Sequence, residues 1–139
     1  MKVRDWMTVD PVTVSPDTTV AEARSVMEAD GFRHLPVVAG GRLIGIVSDR
    51  DVAIKEPALR AAVRQHNVED LLDDDRPVES VMSAGPHVIG QDAAISEATR
   101  LLVSRRISAL PVVDDDRTMV GIITSVDCLL AALENADDV

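Results

Sequence analysis

The sequence predicts an α+β protein made of two pseudo-symmetric β-α-β-β-α units packed sheet to sheet as one module. Three observations predict it. An internal repeat runs through most of the chain, each copy shows the same order of strand-like and helix-like patterns, and the whole chain is 139 residues long. A copy of about 50 residues is small to hold a core alone, so two copies sharing one core is the economical solution.

The repeat is read by shifting the chain 75 positions. Val3–Val38 against Val78–Val113 then gives identity at 10 of 36 positions, including Val3/Val78, Met7/Met82, Pro11/Pro86, Glu22/Glu97 and the run Leu35-Pro36-Val37-Val38 against Leu110-Pro111-Val112-Val113. One residue is inserted after that run. At a shift of 76, Gly45-Ile46 matches Gly121-Ile122, Ser48 matches Thr124 and Asp51 matches Asp127. The insertion falls where Ala39-Gly40-Gly41 faces Asp114-Asp115-Asp116-Arg117. Both are turn compositions, where an extra residue costs little.

The elements follow in order. Val3–Met7 and Val78–Met82 are short lead-in helices. Val12-Thr13-Val14 and Val88-Ile89 are strand-like. Ser15-Pro16-Asp17-Thr18-Thr19 offers several N-caps for a helix over Val20–Ala29, where Val20, Ala23, Val26 and Met27 form one stripe. Ile95, Ala98, Leu101 and Leu102 repeat the stripe in copy two. Leu35–Val38 is a strand whose proline predicts an edge or first position. A turn at Gly41-Arg42 pairs it with Leu43–Val47 as a hairpin. Ser48-Asp49-Arg50-Asp51 then caps a helix running toward Lys55, which Glu56-Pro57 ends or kinks. Copy two gives a strand over Met119–Ile123, the Thr124-Ser125-Val126-Asp127 cap and a helix to about Asn135. Ala58–Gln65 extends the first copy's last helix, and Asp73-Asp74-Asp75 is a solvated run. The copies are bounded at 1–60 and 77–139, with 61–76 as a linker.

Composition excludes several function classes. The 14 Lys and Arg against 24 Asp and Glu leave a net charge of −10, and Trp6 and Phe32 are the only aromatic residues. An acidic chain lacks the basic face that displaces counterions from nucleic acid, and it has no stacking platform for single strands. Its charge also disfavours anionic lipid, and no run is long and apolar enough to span a bilayer. No membrane and no nucleic-acid partner is expected. The N-terminus lacks the apolar core of a signal peptide, and a single cysteine, Cys128, fits a reducing compartment, so a cytoplasmic location is expected. Cys128 sits on an apolar helix face and reads as buried and inert. No phosphate loop, dinucleotide fingerprint or metal-ligand spacing of His34, His66 and His87 is present, so an enzyme is not expected and neither is a resident metal or required cofactor.

Two tandem copies of Met…Pro, then Leu-Pro-Val-Val, a turn and Gly-Ile-hydrophobic-Ser/Thr-x-x-Asp, resemble a stand-alone pair of CBS domains, often called a Bateman module. The resemblance covers about residues 1–55 and 77–135. It implies two clefts between the units and a regulatory role: sensing an adenosine-containing ligand, either AMP, ADP, ATP or S-adenosylmethionine. It also implies a homodimer and an unidentified target protein. The other reading is a ligand-independent scaffold for dimerisation or protein interaction.

By this resemblance, Ser48 donates to phosphate and Asp51 accepts from the ribose diol, as suits an acceptor-only carboxylate. Thr124 and Asp127 take these roles in copy two. Ile46 and Ile122 belong to the same two motifs. Arg33, His34 and Arg50 supply the cations of copy one, where copy two has Ser108, Ala109 and Val126. The Asp51 site is completed by His87, Ile107 and Ser108, and the Asp127 site by Val12, Phe32 and Arg33. Each residue also has a plainer reading. Ser48, Asp51, Thr124 and Asp127 serve as helix caps, Ile107, Phe32, Met7 and Met82 as packing residues, Arg33 as a surface ion-pair partner, and Arg105-Arg106 as caps for the last helical carbonyls.

Overall fold

The computed structural model describes residues 1–54, 56–66 and 74–137. It contains two three-stranded sheets flanked by helices. A 3-10 turn at Val3–Asp5 leads into β1 (Thr8–Val9), followed by α1 (Val20–Asp30), β2 (His34–Ala39) and β3 (Arg42–Ser48). Then come α2 (Asp49–Val52), α3 (Glu56–Gln65), a 3-10 turn at Val78–Ser80 and β4 (Ser83–Ala84). The second series closes with α4 (Ile95–Arg105), β5 (Ala109–Val113), β6 (Met119–Thr124) and α5 (Ser125–Asp137). One sheet has the order β1-β6-β5 and the other β2-β3-β4.

The chain divides into two compact units that are not the two copies of the repeat. One contains Met1–Val12, Gly40–Leu43 and Gly85–Val139, and the other contains Thr13–Ala39 and Ile44–Ala84. We call them unit 1 and unit 2. Each copy therefore contributes its lead-in to the unit built mainly from the other copy. Val3 is fully buried in the unit 1 core with Ile95, Ala98, Leu102, Leu110, Val112 and Ile123. Val78 is fully buried in the unit 2 core with Val20, Ala23, Met27, Leu35, Val37 and Val47.

The exchange is bonded in the same way on both sides. The Val3 N–H donates to Ala93 O at 2.9 Å, and its counterpart at Val78 donates to Thr18 O at 2.8 Å. The first free N–H of α4, at Ile95, donates to Met1 O at 3.0 Å, and that of α1, at Val20, donates to Arg76 O at 2.8 Å. Orphan donors of a helix start are thus closed by the exchanged segment rather than by water. On α1 the Thr19–Glu22 capping box adds a further closure.

Several elements differ from the sequence expectation. The lead-ins are one 3-10 turn each, followed by a short strand, because β1 and β4 pair antiparallel with β6 and β3. Of the strands expected at Val12–Val14 and Val88-Ile89, only Val14 and Ile89 pair, each through a single parallel bridge, to Val37 and Val112. Pro36 and Pro111 are nearly fully buried yet lie in edge strands. The Val14 and Ile89 N–H groups donate to the carbonyls of Pro36 and Pro111, and the Val38 and Val113 N–H groups donate to the carbonyls of Val14 and Ile89. The pairing needs no N–H from the proline.

The helix expected from Ser48 toward Lys55 stops at Val52, where Ala53 turns extended with ψ 146°. α3 restarts at Glu56 with Pro57 in its first turn, where the missing N–H is harmless. Lys55 and Asp73 lie outside the described residues. Asp74 of the expected solvated run is only 15% exposed at its side chain, accepting from Arg76 Nε at 2.9 Å and from the other guanidinium arm at 2.7 Å.

Candidate functional site

The junctions from β3 to α2 and from β6 to α5 are built by the same local rule. Ser48 N donates to Asp51 Oδ2 at 2.7 Å, and Asp51 N donates to Ser48 Oγ at 3.2 Å. In copy two Thr124 N donates to Asp127 Oδ2 at 2.9 Å, Asp127 N donates to Thr124 Oγ1 at 3.3 Å, and the Thr124 hydroxyl reaches the same carboxylate oxygen at 3.1 Å. Both are reciprocal capping boxes. The plainer reading of these four residues is therefore realised in the fold. It occupies Oδ2 of each aspartate. Oδ1 of Asp51 and of Asp127 has no hydrogen-bond partner among the described residues. An ionised carboxylate accepts through both oxygens, so each junction retains an acceptor that its own cap does not use.

The strand start beside each junction is fixed by the backbone. Asp49 N donates to Arg33 O at 2.9 Å, and Ser125 N donates to Ser108 O at 3.0 Å. These are equivalent bonds in the two copies. They bring Arg33 and His34 to Ser48, Asp49 and Asp51 in unit 2. They bring Ser108 and Ala109 to Thr124 in unit 1, where Ala109 is the register partner of Thr124.

The two junctions differ in charge. His34 is half-buried, and burial pushes its imidazole below the usual histidine pKa. The Asp49 carboxylate opposes that shift, the Arg33 guanidinium reinforces it and Asp51 opposes it more weakly. Asp49 joins this cluster although sequence reading did not single it out; the available signal was the Asp-x-Asp spacing inside Ser48–Asp51. Arg50 is exposed on α2. At the corresponding place in unit 1 stand Ser108, Ala109 and the exposed Val126.

The remaining expected residues are distributed as follows. Ile46 is half-buried in β3, while Ile122 is buried in β6 at 9% exposure. Ile107 packs against the unit 1 core, as its packing reading expects. Phe32 stays exposed and joins neither core, and Val12 and His87 are exposed as well. Asp51, Phe32 and Arg33 belong to unit 2, whereas His87, Ile107, Ser108, Val12 and Asp127 belong to unit 1. Cys128 is a buried free thiol in the unit 1 core. At the end of α4 the backbone N–H of Arg106 reaches the Leu102 and Val103 carbonyls. No cluster of three or more metal-ligating side chains occurs among the described residues, and no described helix is long and apolar enough to cross a membrane.

The two motif glycines face the two lead-in methionines. A Cβ on Gly121 would meet Met7 Sδ at 2.7 Å and Thr8 O at 2.9 Å. One on Gly45 would collide with Met82 Sδ and stand 3.0 Å from Ser83 O. The glycine thus lets the exchanged strand approach, and the methionine fills the space.

A family model for the CBS domain matches residues 3–55 and 78–134. The chain belongs to the CBS-domain family. Among curated relatives, the uncharacterized protein MJ0188 of Methanocaldococcus jannaschii is 34% identical over 96% of this chain and 45% of its own length. The CBS domain-containing protein YhcV of Bacillus subtilis is 32% identical over 96% of this chain and 86% of its own. The chain thus spans less than half of the first relative and most of the second.

Solved CBS pairs share the architecture. CBSX2, solved in complex with AMP, is 29% identical with a TM-score of 0.78, covering 97% of this chain and 98% of its own. The CBS domain pair of MJ0100, solved with 5′-methylthioadenosine and S-adenosyl-L-methionine, is 25% identical with a TM-score of 0.75, covering 99% and 98%.

Proposed function

We propose that this CBS pair is a non-catalytic regulatory module that senses an adenosine-containing ligand, and that Asp51 and Asp127 accept its ribose hydroxyls. The observation that carries this reading is the spare Oδ1 on each capping aspartate, repeated at equivalent junctions in both copies. The ligands named for CBSX2 and the MJ0100 pair, AMP in one and methylthioadenosine with S-adenosylmethionine in the other, all contain a ribose diol. On this reading Arg33, His34 and Arg50 favour a phosphate at the Asp51 junction. Ile46, Ile122, Ile107, Phe32 and Val12 offer apolar surface to the base, and His87, Ser108, Ser48 and Thr124 offer polar contacts. The module works in the cytoplasm, as a homodimer, with no required cofactor, and passes the ligand signal to a target protein.

Thermal-shift titration with AMP, ATP and S-adenosylmethionine tests the reading. A ligand that binds only the folded state raises the midpoint in proportion to the logarithm of its concentration. A rise with at least one of them that disappears in Asp51→Ala or Asp127→Ala is expected. No rise with any of them overturns the ligand reading. It would favour the scaffold reading, which the capping bonds of all four motif residues also fit.

A further inference from the structure

An arginine in the second turn of α1 reaches the far end of the Asp51 junction. The Arg24 side chain is only 15% exposed. A guanidinium gives up water there only if its N–H groups find acceptors. Its Nε–H donates to Val52 O at 2.9 Å. One arm of the guanidinium faces the Asp74 carboxylate at 3.9 Å. Asp74 in turn belongs to the segment that closes α1. Its carbonyl accepts from Ala21 N at 3.0 Å, and the Arg76 carbonyl accepts from Val20 N at 2.8 Å. One side chain therefore joins the end of α2 to that segment, and all of these residues lie in unit 2.

The length of α2 makes such a clamp useful. The helix ends at Val52, where Ala53 turns extended, so it offers the Val52 carbonyl no donor of its own. A helix this short does not hold its own shape. Its start is tied by the Ser48–Asp51 capping box, and the Val52 side chain is buried in the unit 2 core. The bond to the Val52 carbonyl adds a third fixed point. Copy two lacks the device. A shift of 75 puts Thr99 opposite Arg24, and its hydroxyl donates to Ile95 O of its own helix at 2.9 Å. There α5 runs on to Asp137, so the carbonyls of its first turns are bonded inside the helix. The arginine is present beside the short helix and absent beside the long one.

We propose that Arg24 is a positioning residue for the Asp51 junction: set against Asp74, it holds the end of α2 and with it the direction of the Asp51 carboxylate. The Asp127 junction needs no counterpart. The consequence for ligand rests on the reading of Asp51 as a ribose acceptor, whereas the hold on α2 does not.

Amide exchange and AMP titration on the full chain test the proposal. In the ligand-free protein, Arg24→Gln is expected to speed exchange of the Asp51 N–H about tenfold, the factor set by one charge-assisted hydrogen bond, and to leave the Asp127 N–H unchanged. Calorimetric titration in an Asp127→Ala background reports on the Asp51 junction alone, and there Arg24→Gln is expected to weaken AMP about tenfold. Met27→Ala is the control, since it removes core volume from the same helix without touching the clamp. It should lower the urea midpoint at least as much, yet leave Asp51 exchange and AMP affinity near those of the wild type. Asp74→Asn should act in the same direction as Arg24→Gln, and the double variant should be no worse at Asp51 than Arg24→Gln alone, because both break one chain of contacts. If Arg24→Gln fails to fold, Arg24→Lys takes its place, keeping the charge and losing the fork. Unchanged exchange at Asp51, unchanged affinity for AMP that does bind, an equal loss in Met27→Ala, or losses that add in the double variant overturns the proposal. If AMP does not bind the Asp127→Ala background at all, it is the ligand reading of Asp51 that fails, and the exchange rates still decide the clamp.

Discussion

His34 opens β2 with a half-buried imidazole between two aspartates and an arginine, and that position sets the sign of its pH dependence. Burial lowers its pKa in the folded state below the 6.5 of an unperturbed histidine. The unfolded chain then binds more protons than the folded one near that pH, so stability rises with pH there. The contribution is complete above pH 6.5 and is lost as the pH falls through 6.5 toward the lower folded value. Urea midpoints of the wild type and His34→Gln at pH 7.5 and 5.5 are expected to diverge. The wild type should lose more on acidification, and equal losses would mean that the imidazole titrates as freely in the fold as outside it.

Gly45 gives a second prediction at this scale. Gly45→Ala must displace Met82 and crowd the Ser83 carbonyl, so it should cost about 1–3 kcal/mol in denaturant unfolding. Adding Met82→Ala should not restore full stability, because the carbonyl stays 3.0 Å from the new Cβ.

The helices α1 and α4 show at the element scale how much the repeat hides. Both run 11 residues and both end on a residue in left-handed backbone, Gly31 at φ 71° and Arg106 at φ 55°. Glycine adopts that conformation without strain, and arginine does not. Arg106→Gly should therefore stabilise the protein by about 0.5–1 kcal/mol, while Gly31→Ala should destabilise it by a similar amount; both are read as urea midpoints. The same substitution of geometry for identity recurs where Asp10 at φ 51° stands opposite Gly85 and Arg117 at φ 63° opposite Gly41. The copies thus repeat a backbone more faithfully than they repeat residues.

This explains which elements could be read from sequence. The stripe Val20-Ala23-Met27 and the Leu-Pro-Val-Val strands are apolar patterns at fixed spacing, and they appear close to where the pattern puts them. The early end of α2 depends on one extended residue, Ala53, whose type does not forbid helix. The two-residue strands β1 and β4 are too short to carry a period. At the junctions, the Ser/Thr-x-x-Asp spacing announced a cap. The spare Oδ1 and the place of Asp49 beside His34 depend on side-chain direction, which spacing alone does not give.

At the scale of the whole molecule, the exchange of lead-ins sets what can fold alone. The repeat shows that Val3 and Val78 are equivalent, but an equivalence cannot say which core each one enters, because both cores present apolar residues at the same repeat positions. The structure answers that Val3 enters the core built from copy two, and Val78 the core built from copy one. A fragment spanning 77–139 therefore lacks the side chain at the centre of unit 1, the Met1 carbonyl that closes α4, and β1 at the sheet edge. A fragment spanning 1–60 lacks Val78, the Arg76 carbonyl that closes α1, the Asp74 carbonyl bonded to Ala21 N at 3.0 Å, and β4.

Loss of one buried valine alone costs on the order of 2 kcal/mol, and the lost strand and helix closure add to it. Small domains hold only about 5–15 kcal/mol in total, so neither sequence copy retains enough. Each fragment alone is expected to give poorly dispersed amide resonances. An equimolar mixture of 1–60 with a second fragment lengthened to 74–139 is expected to recover dispersed spectra, since the pair then supplies both lead-ins and the Asp74 and Arg76 carbonyls. A dispersed spectrum from either fragment by itself would show that its unit closes without the exchanged segment. The intact chain offers a milder form of the same test, in which Val3→Ala and Val78→Ala should lower stability by similar amounts. Val3→Ala should accelerate amide exchange first in α4 and β6, and Val78→Ala first in α1 and β3, each in the unit formed mainly by the other copy.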